Sequence, residues 1–184
     1  FLHICKQQMS EVYKTFPGGL YFVTITTIGW VDIFTRRLYQ DIVTDSIIYC
    51  QKNKGLQLYC YCIMPSHVHI IASREEGTLN DLMRDMKSFT AKTIMQSIEE
   101  NMLESRREWL MKEFKFYGRL SSHKQEKQFW QHDNHAFELY SNRIIDQKVD
   151  YIHRNPVEAG FVDEPHLWRL SIANENSPIK VLSM

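Results

Sequence analysis

The 184-residue chain lacks several features that would assign it to a specialised class of proteins. Its four cysteines are too few for a disulfide scaffold, so we expect reduced and mostly buried thiols. A run of 18 apolar residues is missing, so no transmembrane helix is expected, and residues 1–14 lack the basic-then-apolar order of a signal peptide. The phosphate-binding pattern GxxxxGK(S/T) is also absent, which argues against an ATP-driven step.

The chain also lacks a net charge. Its 22 Lys and Arg residues balance 22 Asp and Glu residues, and the pI is near 7.2. Bulk charge therefore gives no argument for a nucleic-acid partner and favours a small cytoplasmic enzyme. Apolar residues make up 43% of the chain, which is enough to bury a core, and the length fits one domain, or one domain with an insertion.

Charge is nevertheless uneven along the chain. The segment from Arg106 to Lys127 holds seven basic and three acidic residues, a local excess of about four positive charges. Aromatic residues are interleaved with these cations, which suits single-stranded nucleic acid because phosphates attract cations and unstacked bases attract aromatic rings. A solvated amphipathic helix followed by a loop explains the same pattern, and the sequence leaves both interpretations open.

The spacing of apolar residues predicts a series of strands and helices. In chain order we expect a strand at 20–27, a helix from Thr35 to Asn53, strands at 56–64 and 67–73, a helix at 78–104, an extended piece at 129–131 and a helix from Ser141 towards Pro156. The predicted inward residues of the first two helices are Leu38, Ile42, Val43, Ile47 and Ile48, and Leu79, Leu82, Met83, Met86 and Phe89. A loosely packed tail is expected to follow the last helix.

This order of elements predicts an α+β fold. Strand, helix, strand, strand, helix, strand is the order of a ferredoxin-like domain, in which helices pack on one face of an antiparallel sheet. We expect one domain at 9–184, with the basic segment at about 105–128 as an insertion and a further helix at the C-terminal end.

The first motif with chemical meaning is His67-Val68-His69. In a strand, side chains two residues apart point to the same face, so both imidazoles can bind one metal ion. Two histidines on a polar sheet face, with no metal, would give the same pattern.

The second motif is the helical sequence from Lys148 to Pro156. Tyr151 and Asn155 are four residues apart and share a helix face. The proline after Asn155 disfavours helical geometry at that residue, which argues against this spacing. A tyrosine on the polar side of an amphipathic helix is also compatible with ordinary packing.

Together these motifs resemble the single-tyrosine HUH transposases, specifically their REP-associated tyrosine transposase branch. The most specific similarity is the string Tyr-Ile-x-x-Asn-Pro-Val-x-Ala-Gly, which begins at Tyr151. Other similar stretches are 21–24, 63–69, 86–90, 129–131 and 168–171.

The resemblance implies a set of catalytic roles. His67, His69 and Asn155 would hold Mg²⁺ or Mn²⁺, and Tyr151, on the C-terminal helix, would attack the scissile phosphate. The products would be a 5′-phosphotyrosine and a free 3′-hydroxyl, and the covalent bond would conserve the energy needed for rejoining.

The resemblance also implies a substrate, namely single-stranded DNA with a hairpin or palindromic structure. We expect DNA contacts from six basic residues: Arg106, Arg107, Lys112, Lys115, Lys148 and Arg154. No membrane partner is expected, and the protein would be a monomer or a homodimer. Family members usually begin shortly before the Tyr-Lys-Thr-Phe stretch, which lies at 13–16 in this chain. We therefore expect Met9 to be the native start and residues 1–8 to be a leader or an expression remnant.

Two other functions compete with this interpretation. Cys60, Cys62, His67 and His69 could form the zinc site of a nucleic-acid-binding module without catalysis. The turn between the strands decides this: a two-residue turn places Cys62 opposite His69, whereas a three-residue turn directs both cysteines away. The second alternative is a transposase-derived DNA-binding protein that has lost its activity.

Overall fold

The computed structural model describes residues 14–122, 124–134 and 136–184. The expected leader at 1–8, the expected start at Met9, and Cys5 lie outside the described residues. Within the described part of the chain, no helix combines the length and apolar character needed to cross a lipid bilayer.

Four strands and four α-helices are present in the described residues. In chain order they are β1 (Tyr21–Thr26), α1 (Arg37–Asn53), β2 (Gln57–Ile63), β3 (His67–Ser73), α2 (Leu79–Glu100), α3 (Arg107–Leu120), β4 (Phe137–Glu138) and α4 (Asn142–Glu158). Short 3₁₀ helices lie at Ile28–Trp30, Ile33–Thr35 and Pro165–Leu167.

The four strands form one antiparallel sheet in the order β2-β3-β1-β4. Strands β1 and β2 both pair with β3, which is the split βαβ arrangement of a ferredoxin-like fold. The predicted α+β fold is therefore confirmed. The fourth strand is β4 and not the predicted piece at 129–131, of which Trp130 makes only an isolated bridge with Thr27.

Each face of the sheet is covered by helices. Helices α1, α2 and α3 pack on the face that carries Val23, Val68 and Ile70. Helix α4 packs on the opposite face, where Ile152 is fully buried in a second apolar cluster with Ile71. The predicted placement of helices on one face thus describes α1 to α3, and α4 adds a layer on the other side.

Two predicted inward residues point to solvent. Leu38 is 46% exposed and Phe89 is 60% exposed. The buried stripe of α2 runs instead through Met86 and Thr90, which are four residues apart on one helix face, and this leaves Phe89 on the exposed side. On α1 the predicted Val43 and Ile47 are buried, as is Tyr39, whose hydroxyl donates a hydrogen bond to Glu104 Oε2 at 3.1 Å.

The C-terminal tail differs from its predicted loose packing. Backbone hydrogen bonds join it to β2: Ile63 N–H donates to Leu170, Ile172 N–H donates to Tyr61, and Leu182 N–H donates to Leu58. An edge strand has unpaired backbone groups, and the tail satisfies them. The tail is therefore part of the sheet's edge.

Candidate active site

The side-chain alternation of β3 places its two histidines on the face that α4 covers. Val68 is fully buried in the core beneath α1 and α2, whereas His67 and His69 point the other way. Their ring centroids are 4.7 Å apart. The strand therefore brings two imidazoles side by side, as its period of two predicts.

Each histidine has one ring nitrogen next to a hydroxyl. Thr24 Oγ1 lies 2.8 Å from His69 Nδ1, because the β1–β3 register pairs these two residues. Ser66 Oγ lies 3.1 Å from His67 Nδ1. Among the described residues, His69 Nε2 is buried and has no hydrogen-bond partner. A buried, unpartnered imidazole nitrogen is costly unless something else binds it.

Helix α4 brings Tyr151 and Asn155 onto the histidines. Pro156 lies inside the helix, which continues to Glu158, so Asn155 keeps its helical position despite the proline. Asn155 Oδ1 is 3.4 Å from His67 Nε2, and the Tyr151 ring is 5.2 Å from the His69 ring. Tyr151 is 39% exposed. The side chain is therefore partly exposed while its ring contacts His69.

Lys148 supplies a positive charge beside the tyrosine. Its Nζ lies 4.7 Å from the centroid of the Phe22 ring and 5.6 Å from that of Tyr151. Lys148 precedes Tyr151 by three residues and Asn155 by seven, so all three lie on one helix face. The cation is held over aromatic rings, where it is close to the phenol.

The environment keeps both histidines neutral. Burial lowers the pKa of His67 below its usual value, although its contact with Asn155 opposes the shift. Burial, with the charges of His67 and Lys148, lowers the pKa of His69 to about 3. At neutral pH both rings carry a free lone pair, which is the form that binds metal ions.

The other predicted DNA-binding residues lie apart from this cluster or are engaged elsewhere. Arg106 is largely buried and forms an ion pair with Asp32 at 2.7 Å. Arg154 pairs with Glu158 at 3.6 Å on the surface of α4. The remaining three, Arg107, Lys112 and Lys115, belong to α3; of the six, the structure brings only Lys148 into ring contact with the tyrosine.

Sequence reasoning did not identify two residues of this site. Thr24 contacts His69, and the Trp30 ring makes an edge contact with the His67 ring at 5.4 Å between centroids. The residue types of β1 predict a strand but do not assign Thr24 to the site; only the β1–β3 register shows that it faces His69. No periodic signal marks Trp30, because it lies in a loop-like 3₁₀ turn.

The cysteines do not complete a zinc site with the histidines. The turn has two residues, since Met64 N–H donates to the His67 carbonyl at 2.8 Å, and Cys62 does lie opposite His69. Cys60 and Cys62, however, are buried in the apolar cluster beneath α4. In residues 14–122, 124–134 and 136–184, no group of three or more His, Cys, Asp or Glu side chains could hold a metal ion.

Burial raises the pKa of the Cys60 and Cys62 thiols to about 12. We therefore expect both to resist alkylation by iodoacetamide in the native protein at pH 8, as mapped by peptide mass spectrometry, and to react in guanidinium. Thiols of the unfolded chain ionise near pH 8.5, so the stability that these groups contribute is complete below that pH. The free energy of unfolding should decrease as the pH rises towards about 12. Native protection that a chelator removes would instead indicate a zinc site.

The family comparison covers the strands that build the site. The sequence model described as "Transposase IS200 like" matches residues 21–115, from β1 into α3, and includes both histidines. No curated protein sequence matches the chain.

Solved structures that are similar to this one include two transposases. A REP-associated tyrosine transposase bound to a REP hairpin shares 18% identity, with a TM-score of 0.61 over 85% of this chain and 78% of that one. A candidate transposase from Deinococcus radiodurans R1 shares 18% identity, with a TM-score of 0.42 over 77% of this chain and 90% of that one. At 18% identity, the similarity to the REP-associated transposase establishes the fold alone. Because the family match spans just over half of the chain, the protein belongs to the IS200-like transposases.

Proposed function

We propose that this transposase nicks and rejoins single-stranded hairpin DNA, with Tyr151 as the nucleophile and a divalent cation at His67, His69 and Asn155. The observation that carries the proposal is their convergence, which brings Asn155 Oδ1 within 3.4 Å of His67 Nε2 and the Tyr151 ring next to His69. The likeness of its fold to that of a REP-associated tyrosine transposase supports placing the chain in that branch of the family.

The donor set fits Mg²⁺ or Mn²⁺. With Nδ1 of each ring donating to its neighbouring hydroxyl, the Nε2 lone pairs of both histidines and the amide oxygen of Asn155 remain available. A cation would satisfy the buried Nε2 of His69 and separate two acceptors that otherwise face each other at 3.4 Å. A cation held by these residues would polarise the scissile phosphate and orient it for in-line attack. Imidazole ligands suit Mn²⁺ better than Mg²⁺, so Mn²⁺ should support activity at least as well.

Tyr151 is the tyrosine best placed to attack. Its oxygen forms a bond to phosphorus, the bond from phosphorus to the 3′ oxygen breaks, and the phenolic proton passes through water to that oxygen. The products are a 5′-phosphotyrosine and a 3′-hydroxyl, so rejoining is the same exchange in reverse. The Lys148 ammonium, 5.6 Å from the ring centroid, places a positive charge beside the phenolate that must form and leave.

The proposed site is complete within one chain. Tyr151 on α4 lies against His69 of its own β3, with ring centroids 5.2 Å apart. This arrangement supports a monomer that uses its own tyrosine and does not require a partner subunit to supply it.

The substrate class rests on the family and on surface charge. The fold resembles that of a transposase that is bound to a REP hairpin. On α3, Lys112 and Lys115 line a surface groove with the aromatic ring of Phe116. Cations beside an aromatic ring suit a single strand. Arg106 is engaged with Asp32, so Arg107, Lys112 and Lys115 are the residues of the basic segment that we expect to contact DNA.

Replacing the nucleophile tests the proposal directly. We expect Tyr151→Phe to fold, with a loss of stability under about 1 kcal/mol because the ring is retained, and to bind the DNA hairpin. It should form no covalent protein–DNA adduct on a denaturing gel in the presence of Mn²⁺. The matched control is Tyr140→Phe, since Tyr140 is 76% exposed. An adduct formed by Tyr151→Phe would refute the assignment, and a wild-type protein that binds without any adduct would favour the inactive DNA-binding alternative.

The salt dependence of binding tests the DNA path. Replacing Arg107, Lys112 and Lys115 with alanine should weaken hairpin binding. The negative slope of log K against log salt should become shallower by about 0.7 for each phosphate that the variant no longer neutralises. Lys52→Ala, which removes a cation from the last turn of α1, serves as the control. An unchanged slope in the triple variant would move the path away from α3.

A further inference from the structure

Trp30 has an unusual backbone and an unusual exposure. Its φ angle is +56°, in the left-handed region that residues with a Cβ rarely adopt. The side chain is nevertheless 61% exposed, so burial of the indole does not offset this strain. Backbone strain that is not offset by packing of the side chain is found preferentially at functional sites.

Several hydrogen bonds hold the turn that carries Trp30. The Thr27 hydroxyl lies 2.8 Å from the Val31 carbonyl oxygen and 2.9 Å from that of Ser66, and its one proton serves these two acceptors. Ile28 N–H donates to the Phe129 carbonyl at 2.7 Å. The turn is thus tied to the β2–β3 connection and to the segment after α3. The exposed indole is presented by a fixed backbone and not by a loose loop.

The indole contacts one of the histidines, and the turn that carries it packs on α3. Its edge contacts the His67 ring, with centroids 5.4 Å apart. Its neighbour Gly29, with φ of +59°, packs tightly against the ring of Tyr117 on α3. The Trp30 ring therefore offers an exposed aromatic surface directly beside His67 of the proposed site.

We propose that Trp30 is a stacking platform for one base of the single-stranded DNA, in a nucleotide next to the scissile phosphate. The inference rests on the proposed function and adds to it a residue that positions the cleaved strand. A flat, exposed and rigid aromatic ring beside a phosphate-binding site provides a face for an unpaired base. Stacking of this kind tolerates any base, so Trp30 fixes the position of the strand more than its sequence.

Binding experiments on an uncleavable background measure this role. In the Tyr151→Phe protein, hairpin DNA with a single-stranded arm is titrated with each nucleotide near the cleavage position made abasic in turn. We expect one abasic position to weaken binding about 5- to 100-fold. Trp30→Ala should weaken binding of the intact DNA by a similar factor and abolish the effect of that abasic position. Trp30→Tyr should restore most of the affinity.

Thermal unfolding distinguishes the stacking role from a purely structural role, in which loss of the indole would lower the unfolding temperature. Because glycine adopts a positive φ without strain, Trp30→Gly should unfold at the same temperature as the wild type or higher, while losing affinity as Trp30→Ala does. Tyr49→Ala, which removes an aromatic ring that is 55% exposed on α1, is the control for loss of exposed aromatic surface. Unchanged affinity in Trp30→Ala, or an abasic effect that persists in it, would overturn the inference. Absence of any covalent adduct with wild-type protein would instead overturn the proposed function.

Discussion

The alternation of side chains along β3 is the constraint on which the site depends. This strand is central in a sheet whose two faces are both covered, so neighbouring residues must serve different layers. Val68 lies in the core under α1 and α2, which forces His67 and His69 together on the other face. The β1 register then sets Thr24 beside His69. A shift of one residue would bury both histidines in the wrong layer.

The second requirement is the docking of α4, because it brings the tyrosine to the histidines. Ile152 anchors the helix in the apolar cluster formed with Cys60, Cys62 and Ile71. The cysteines thus act as small apolar residues that hold α4 in place. Asn155 and Tyr151, on the same packed helix, reach the histidines, which preorganises the groups that would meet the phosphate in the proposed function.

Much of this arrangement could be predicted from the sequence, since it follows from local rules. Alternation predicted the paired histidines, and helical spacing placed Tyr151 and Asn155 on one face. Properties that depend on distant partners were missed. The pairing of Arg106 with Asp32, the exposure of Phe89 and the edge pairing of the tail follow from the three-dimensional packing. Predicting which face of the sheet α4 covers, and that Trp30 contacts His67, also requires knowledge of the complete fold.

The central claim is that His67, His69 and Asn155 form one cation site beside Tyr151. A crystal structure of the protein grown with Mn²⁺, with anomalous diffraction recorded at the manganese edge, tests it most directly. We predict one strong peak at roughly 2.0–2.3 Å from Nε2 of both histidines and from Oδ1 of Asn155. A manganese peak bound by other residues, with these three side chains still in mutual contact and no peak between them, would contradict the account.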